Sequence, residues 1–580
     1  MNTVNIHVNG RPMMVKKGTT VLDACDQAGI KIPTLCHLNL EEYGIVNKVA
    51  SCRVCVVEVE NRQALVPSCA EKVYEGMHIK TDSIRAINSR RNNLELLLSN
   101  HPFECLTCTK NLTCELQSLA EELNIREISF TGEKMAYSID QSSKSIVKDP
   151  NKCVMCRRCE TMCNEVQTVG VLSGLRRGFD AVVAPAFNLD MADTSCTYCG
   201  QCVAVCPTGA LTERNDVPRV WKRLANKNYH MVVQVAPAVR VALGEMFGMD
   251  PGSISTGKIV TALRRLGFDA VFDTNFGADL TIMEEARELV HRIEHGGTLP
   301  MLTSCCPAWV KFIEHQFPEM LDVPSTCKSP QTMVGAIAKT YYAEKIHLPS
   351  KQIKVVSIMP CVAKKAESAR PELSKENLHN VDYTLSTREF GHMIKEAGIE
   401  FEKLPDGEFD NILGESTGAA AIFGTTGGVI EAAARTAYEL LTGDNLERID
   451  FQELRGMEGI REATITINDL DLKIGIAHGL GNARHLLEEI KAGNVDYHAI
   501  EIMACPGGCI GGGGQPYHHG DMSIIEARQK AIYEIDKSMP RRKSHENEMV
   551  LKLYQDFLGD PYGEKAHDLL HTCYTKGERI

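Results

Sequence analysis

LPMLTSCCPAW, residues 299–309, carries an apolar run that ends in two adjacent cysteines, Cys305 and Cys306. Their side chains diverge, so the pair cannot readily share one cluster or close a relaxed disulfide. Two neighbours of this kind call for two separate tasks. The same short apolar texture returns in HMVVQVAP (230–237), DAVFDTNF (269–276), IKVVSIMPC (353–361), LKIGIAHG (472–479) and HAIEIMAC (498–505). Amphipathic segments such as TIMEEARELVHRIE (281–294) lie between them. That alternation predicts an α/β region with largely buried parallel strands. Sites in such sheets form just beyond the carboxyl ends of the strands. The unusual residues sit there: Pro237, the Cys305–Cys306 pair, Cys361, Cys505 and Cys509.

One cysteine of the pair, with Cys361, Cys505 and Cys509, makes a set of four for a metal cluster. The last two belong to EIMACPGGCIGGGGQP (501–516). Its glycines would let backbone pack against a bulky inorganic group where a Cβ would clash. No G-K-[ST] follows, so phosphate cradling is a poor reading.

The chain has 580 residues, 43% of them hydrophobic, which is enough for several domains with full-sized cores. A net charge of −12 argues against nucleic acid as a partner. No apolar run is long enough for a membrane span, and MNTVNIHVNG does not read as a secretory signal, so a cytoplasmic protein is expected. The 23 cysteines come largely in C-x-x-C pairs, which favours metal over disulfides.

CVMCRRCETMC (153–163) and CTYCGQCVAVCP (196–207) both read C-x2-C-x2-C-x3-C, the two-cluster ferredoxin pattern. The fourth cysteine of each run then serves the other run's cluster. One [4Fe–4S] cluster takes Cys153, Cys156, Cys159 and Cys206; the other takes Cys163, Cys196, Cys199 and Cys202. The competing reading is a pair of zinc sites. Upstream, HPFECLTCTKNLTC offers His101, Cys105, Cys108 and Cys114, a set that suits zinc or an iron–sulfur cluster alike. Its place before two ferredoxin runs favours the cluster. Cys36, Cys52, Cys55 and Cys69 form an N-terminal quartet for a [2Fe–2S] cluster. An expected hairpin (VNIHVNGRPMMV) and a helix capped by Thr20 surround it, the order of a plant-ferredoxin β-grasp domain. The 15 residues between Cys36 and Cys52 depart from the plant-type spacing of four. Cys25 on that helix is read as core, and Cys327 and Cys573 as packing residues.

TSCCPAW (303–309), MPCVAKKAE (359–367) and EIMACPGGCIGGGGQP together resemble the three signature motifs of [FeFe]-hydrogenases. The order of the motifs and the upstream cluster sequences resemble the large, multi-cluster clostridial-type members. That resemblance implies an H-cluster: a [4Fe–4S] cubane joined through a cysteine sulfur to a di-iron unit with CO, cyanide and a bridging dithiolate. The implied cubane ligands are Cys306, Cys361, Cys505 and Cys509, with Cys509 as the bridge. Cys305 would be the last protein group on a proton path through Glu285, Ser325, Glu288 and Arg292. Glu285, Glu288 and Arg292 share one helix face by spacing, although a solvated charged face is the plainer reading of that pattern. Lys364 would bind a cyanide. Met359, Met503, Gln331, Phe423 and Pro237 match positions around the di-iron unit, and Ala238 stands where many relatives carry serine.

The expected fold is multidomain α+β and α/β. It comprises a β-grasp [2Fe–2S] domain (1–82), a [4Fe–4S] domain with one histidine and three cysteine ligands (83–137), a two-[4Fe–4S] ferredoxin-like domain (138–218), a two-lobed catalytic domain (219–545) and a C-terminal helical segment that wraps it (546–580). The expected activity is reversible H2 oxidation and proton reduction, with electrons relayed through four accessory clusters. ASCRVCVVEVE and the adjacent His101 set resemble the iron–sulfur subunit of respiratory NADH dehydrogenases. No nucleotide-binding G-x-G-x-x-G follows a strand. The expected partners are therefore flavin- and NAD(P)-binding subunits of an electron-bifurcating complex, or soluble ferredoxin for a stand-alone enzyme. An H2 sensor and a non-catalytic iron–sulfur assembly relative are the rival readings.

Overall fold

Asn9 and Gly10, both at positive φ, turn the first hairpin, and Thr3–Val8 pairs antiparallel with Arg11–Lys16. That is the backbone a two-residue hairpin turn needs. The computed structural model describes the chain except residues 1, 41–44, 46, 376, 377, 445, 447, 448, 468, 469 and 578–580. The hairpin joins a five-stranded sheet with Met77–Lys80, Val56–Val59 and Val66–Pro67. Helix Val21–Gln27 packs on it, and the Thr20 side chain accepts from the Asp23 amide at its start. Cys25 is fully buried among Ile6, Val57 and Ile79.

Helix Ile84–Asn100, capped by Ser83, and helix Glu115–Glu122 bury Leu94, Leu98, Leu116 and Leu119. These leucines share one apolar cluster with Leu35, Cys36, Cys52, Val154 and Cys156. Next in the chain, Ile146–Lys148 pairs with Leu211–Glu213, and Ser173–Leu175 with Val182–Ala184. Short helices Arg158–Thr161 and Gln201–Val205 are each preceded by a left-handed residue, Arg157 and Gly200.

The remainder is built on two four-stranded sheets. Ala270–Asp273, His230–Val235, Ile353–Met359 and Tyr383–Ser386 lie parallel in that order. Met301–Leu302, Ala499–Met503, Leu470–His478 and Ile460–Ile467 form the second sheet, parallel except for the last pair. Tyr383–Ser386 and Ile460–Ile467 add to the expected strands. Ile460–Ile467 is an edge strand, with exposed Thr464 and Thr466. A one-sided strand of this kind lacks the continuous apolar run that marks the buried ones.

Helix Thr274–His295 runs 22 residues through the interior. At Gly277 it meets helix Pro330–Ile337 so closely that a Cβ would lie 2.5 Å from the Pro330 carbonyl oxygen. The C-terminal elements, Glu548–Leu553, Tyr554–Leu558 and Glu564–Leu570, bury Val550, Leu553, Leu569 and Leu570 against Phe276 and Met283 of that helix. Arg435, wholly buried, ties helix Gly428–Thr442 to helix Met522–Ser538 through Asp536 (3.0 Å) and pairs with Glu431 (2.8 Å). Among the described residues, no helix is long and apolar enough to cross a membrane.

Candidate functional site

Both sheets point their strand ends at one cavity. Pro237 and Ala238 follow strand His230–Val235, and Thr274 follows Ala270–Asp273. Met359 ends its strand and Cys361 follows; Met503 and Cys505 repeat the arrangement in the second sheet. Cys306 caps helix Pro307–Gln316, and Cys509 opens the single turn Cys509–Gly511. Cys305, Gln331, Lys364 and Phe423 also line the cavity.

The donor set fits a metal cluster. Burial pushes the Cys361 and Cys505 thiols far above the ordinary range and that of Cys509 up to about 12. Buried thiolates held this close together need a metal charge to exist. The Ala504 amide already donates to Cys306 Sγ at 3.5 Å.

The glycine run also answers a second need, close backbone packing. A Cβ at Gly511 would meet the Pro506 carbonyl oxygen at 2.1 Å, and one at Gly512 the Pro360 carbonyl oxygen at 2.3 Å. A Cβ at Gly513 would strike the Gly200 carbonyl carbon (2.7 Å) and the Cys199 carbonyl oxygen (2.8 Å). These positions must be bare so that backbone can lie on backbone. Of the run, Gly508 and Gly512 also border the cavity.

Cys305 faces a buried polar route. Burial, then the Glu285 charge, pushes its thiol well above the usual range, so it carries its proton at neutral pH. Glu285 is itself raised to about 8, first by burial and then by Glu288, against the Ser304 amide. Glu285 Oε1 has no protein partner. Ser325 Oγ donates to Glu288 Oε2 at 2.7 Å, and Arg292 Nη2 donates to Glu288 Oε1 at 2.6 Å. Glu285, Glu288 and Arg292 share the inner face of helix Thr274–His295 and are all buried, which overturns the solvated-face reading.

Lys364 Nζ donates to the Cys305 carbonyl oxygen (3.0 Å) and to both oxygens of Glu367. Burial alone would lower its pKa; the Glu367 charge outweighs that and raises it. Gln331 Nε2 donates to Glu367 Oε2 at 2.9 Å, so it acts one layer out from the cavity as well as lining it.

Three of the other cysteine sets come together in the structure. One cavity is lined by Cys153, Cys156, Cys159 and Cys206, another by Cys163, Cys196, Cys199 and Cys202. Cys55 Sγ lies 3.4 Å from Cys69 Sγ, and Cys36 lies against Cys52 and Cys69. Such mutual crowding suits two irons and four thiolates. His101 Nδ1 bonds the Pro102 carbonyl oxygen at 2.8 Å, leaving buried Nε2 without a protein partner. An imidazole held in that way presents a lone pair to a metal. Cys105 is exposed, and Cys108 and Cys114 are half-buried. A Cβ on Gly209 would come within 2.7 Å of Cys108 Sγ, so this set packs directly on the ferredoxin-like region.

One reading is corrected: Cys573 is exposed and not a packing residue. Cys327 packs in the apolar cluster with Phe276, Met283 and Met333, as expected, and its thiol also faces Glu288 Oε2 at 3.7 Å and His571 Nδ1 at 3.9 Å. Sequence reasoning also missed Thr274, Glu367, His571 and Tyr574, whose hydroxyl donates to the Ser325 carbonyl oxygen at 2.6 Å. Thr274 was within reach, since it directly follows an apolar strand. His571 and Tyr574 carry no local signal.

A buried thiol-lined cavity with buried acidic side chains on one side and cysteine quartets on the other defines a cluster-bearing redox enzyme. The chain matches the family descriptions "Iron only hydrogenase large subunit, C-terminal domain" over 229–513 and "Iron hydrogenase small subunit" over 522–577. Residues 1–83 match a 2Fe-2S iron–sulfur cluster binding domain, 90–129 the NADH-ubiquinone oxidoreductase-G iron–sulfur binding region, and 193–212 a 4Fe-4S binding domain. It is 58% identical to the NADP-reducing hydrogenase subunit HndD of Solidesulfovibrio fructosivorans, across 100% of both chains. It is 39% identical to iron hydrogenase 1 of Clostridium pasteurianum, over 98% of this chain and 100% of that one. The solved [FeFe]-hydrogenase HydA1 from Chlamydomonas reinhardtii, variant E141Q, aligns with TM-score 0.57 and 43% identity over 63% of this chain and 100% of that one. The chain belongs to the iron-only, or [FeFe], hydrogenase family. It is an oxidoreductase acting on H2, with [2Fe–2S] and [4Fe–4S] clusters and an H-cluster.

Proposed function

We propose that this chain is the H2-converting subunit of an NADP(H)-linked complex, and that Cys306, Cys361, Cys505 and Cys509 hold its H-cluster, with Cys509 bridging to the di-iron unit. The observation that carries the residue assignment is the split of the adjacent cysteines: Cys306 Sγ takes the Ala504 amide on the cluster side, whereas Cys305 faces Glu285. The H-cluster supplies the iron that binds H2 and accepts its electrons. The protein handles the protons of H2 ⇌ 2H⁺ + 2e⁻. Cys305 holds one at Sγ and passes it to the Glu285 carboxyl group, which hands its own proton on; the Ser325 hydroxyl and Glu288 carry it outward, with the Arg292 guanidinium fixing Glu288 and staying charged. Lys364 orients an anionic ligand from a position fixed by Glu367, and Met359, Met503, Phe423 and Pro237 keep water out.

In this reading, electrons pass between the pocket and the four accessory sets. Cys199 adjoins the glycine run, Cys156 shares an apolar cluster with Cys36 and Cys52, and Cys108 lies against Gly209. The domain division at 82, 137, 218 and 545 follows these sets. An NADP(H)-linked partner is supported by the relative named as an NADP-reducing hydrogenase subunit and by the respiratory-type N-terminal segment. It is also supported by exposed Phe103, Leu106 and Leu112 around Cys105, an apolar rim where a flavoprotein subunit can seat. The test uses the matured chain, purified with and without its co-purifying subunits. Alone, it should show infrared bands of metal-bound CO and cyanide and reduce dyes with H2, but not NADP⁺. Rapid NADP⁺ reduction by the bare chain would refute the complex, and absence of the bands would refute the cluster assignment.

A further inference from the structure

Cys327, the C-terminal segment and the proton route meet at one point. The Glu288 carboxylate, the Cys327 thiol and the His571 imidazole are all buried, with their donor atoms within 4.8 Å of one another. We propose that Glu288, Cys327 and His571 form a binding site for a thiolate-seeking divalent cation of the zinc class, set across the proton route, so that loading the site stops turnover.

The distances carry the first part. Cys327 Sγ stands 3.7 Å from Glu288 Oε2 and 3.9 Å from His571 Nδ1. Zinc bonds of about 2.3 Å to sulfur and about 2.0 Å to nitrogen or oxygen, at tetrahedral angles, place such donors about 3.5 Å apart. The two pairs that include Cys327 need only close by a few tenths of an ångström; the Glu288 carboxylate and the His571 imidazole, within 4.8 Å of each other, close around the same point. A sulfur, an imidazole and a carboxylate together are a zinc donor set, with a fourth position left for a hydroxyl or water.

The surroundings supply the outer layer that metal-binding imidazoles require. His571 Nε2 donates to Glu284 Oε2 at 3.0 Å. Glu284 is held in turn by the Tyr562 amide at 2.9 Å and by the Tyr554 hydroxyl. That bond keeps the proton on Nε2 and the lone pair on Nδ1, which the Thr326 hydroxyl meets at 2.7 Å. A carboxylate–imidazole–metal line of this kind fixes ring orientation and strengthens the ligand. Glu288 is fixed by Ser325 and by Arg292. Glu284, Glu285 and Glu288 face the thiol, a setting that favours a cation. Exposed His567 stacks on His571 at 4.6 Å between ring centres.

Inhibition, unlike binding, rests on Glu288 being a proton carrier as proposed above. Bound to a metal, its carboxylate no longer accepts the Ser325 proton. The experiment titrates chelator-washed holoenzyme with zinc and reads two quantities. X-ray absorption at the zinc edge should show one equivalent with a single sulfur neighbour and nitrogen or oxygen neighbours. The H2 oxidation rate should fall more than tenfold and return with chelator. Cys327→Ser should lower zinc affinity at least tenfold, as should His571→Gln, and Glu284→Gln should weaken it by about 10–100-fold. Zinc without a sulfur neighbour, or equal affinity in Cys327→Ser, overturns the site. Zinc bound through sulfur with turnover unchanged overturns the proton role of Glu288 and the closure built on it, and leaves the metal site standing.

Discussion

At the scale of single residues, the divergence of Cys305 from Cys306 separates proton handling from metal holding. Cys305→Ala removes a proton carrier and no ligand, so the infrared signature of the H-cluster should persist while turnover falls by about 10²–10⁴-fold, the usual worth of a positioned acid–base group. Near-normal turnover would end the assignment. Glu285 yields a second prediction with a definite sign. Its folded pKa is about 8 against an ordinary 4.5. Between those values the native state holds a proton that the unfolded chain has released, so on this account stability falls as pH rises and levels off above about 8. Glu285→Gln deletes that slope. Its thermal midpoint should gain on the parent's from pH 5 to pH 8, and a constant difference would contradict burial as the cause. The acid residues were visible as a spaced face in the sequence. Their burial was not, because charged spacing reads the same on a wet face as on a dry one.

Among the elements, the strands decide where chemistry occurs and the helices decide how firmly it is held. Glu501, within strand Ala499–Met503, accepts from the Gly427 (2.6 Å), Val429 (2.9 Å) and Ile430 (3.0 Å) amides at the start of helix Gly428–Thr442. These are amides that a helix cannot satisfy itself, and the carboxylate complements the helix dipole. Glu501→Ala leaves them buried and unpaired, at a cost of about 1–3 kcal/mol. The thermal midpoint should fall with the cysteine sets intact, and an unchanged midpoint would contradict the capping role. Nothing in EIMAC suggests this task, since the partner amides lie more than seventy positions away. Cysteine quartets, by contrast, were legible because metal geometry imposes a fixed local spacing. The strand alternation was legible because buried parallel strands are apolar on both faces. Tyr383–Ser386 escaped because YTLS mixes hydroxyl side chains with a single aliphatic one and so lacks the apolar run of the other buried strands.

On the scale of the whole molecule, Gly513 is where the ferredoxin-like region lies on the pocket. Gly513→Ala would press a methyl group against Gly200 and the Cys199 carbonyl, all of it backbone and unable to rotate away. It should cost about 1–3 kcal/mol of stability. It should also slow reduction of the accessory clusters by H2 relative to the parent, while the infrared bands stay in place. Full-speed reduction would show that the close approach is unnecessary. The sequence announced the glycines but not their reason, which for Gly511 and Gly512 is the Pro506 and Pro360 carbonyls and for Gly513 arises only when it meets residues 199–200. The pairing of Glu284 with His571 spans 287 residues, and it has a consequence in time. At a synthesis rate of about 5–20 residues per second, Glu284 leaves the ribosome about 15–60 s before the histidine that covers it. Throughout that interval the pocket's acidic flank lacks the imidazole that later covers Glu284.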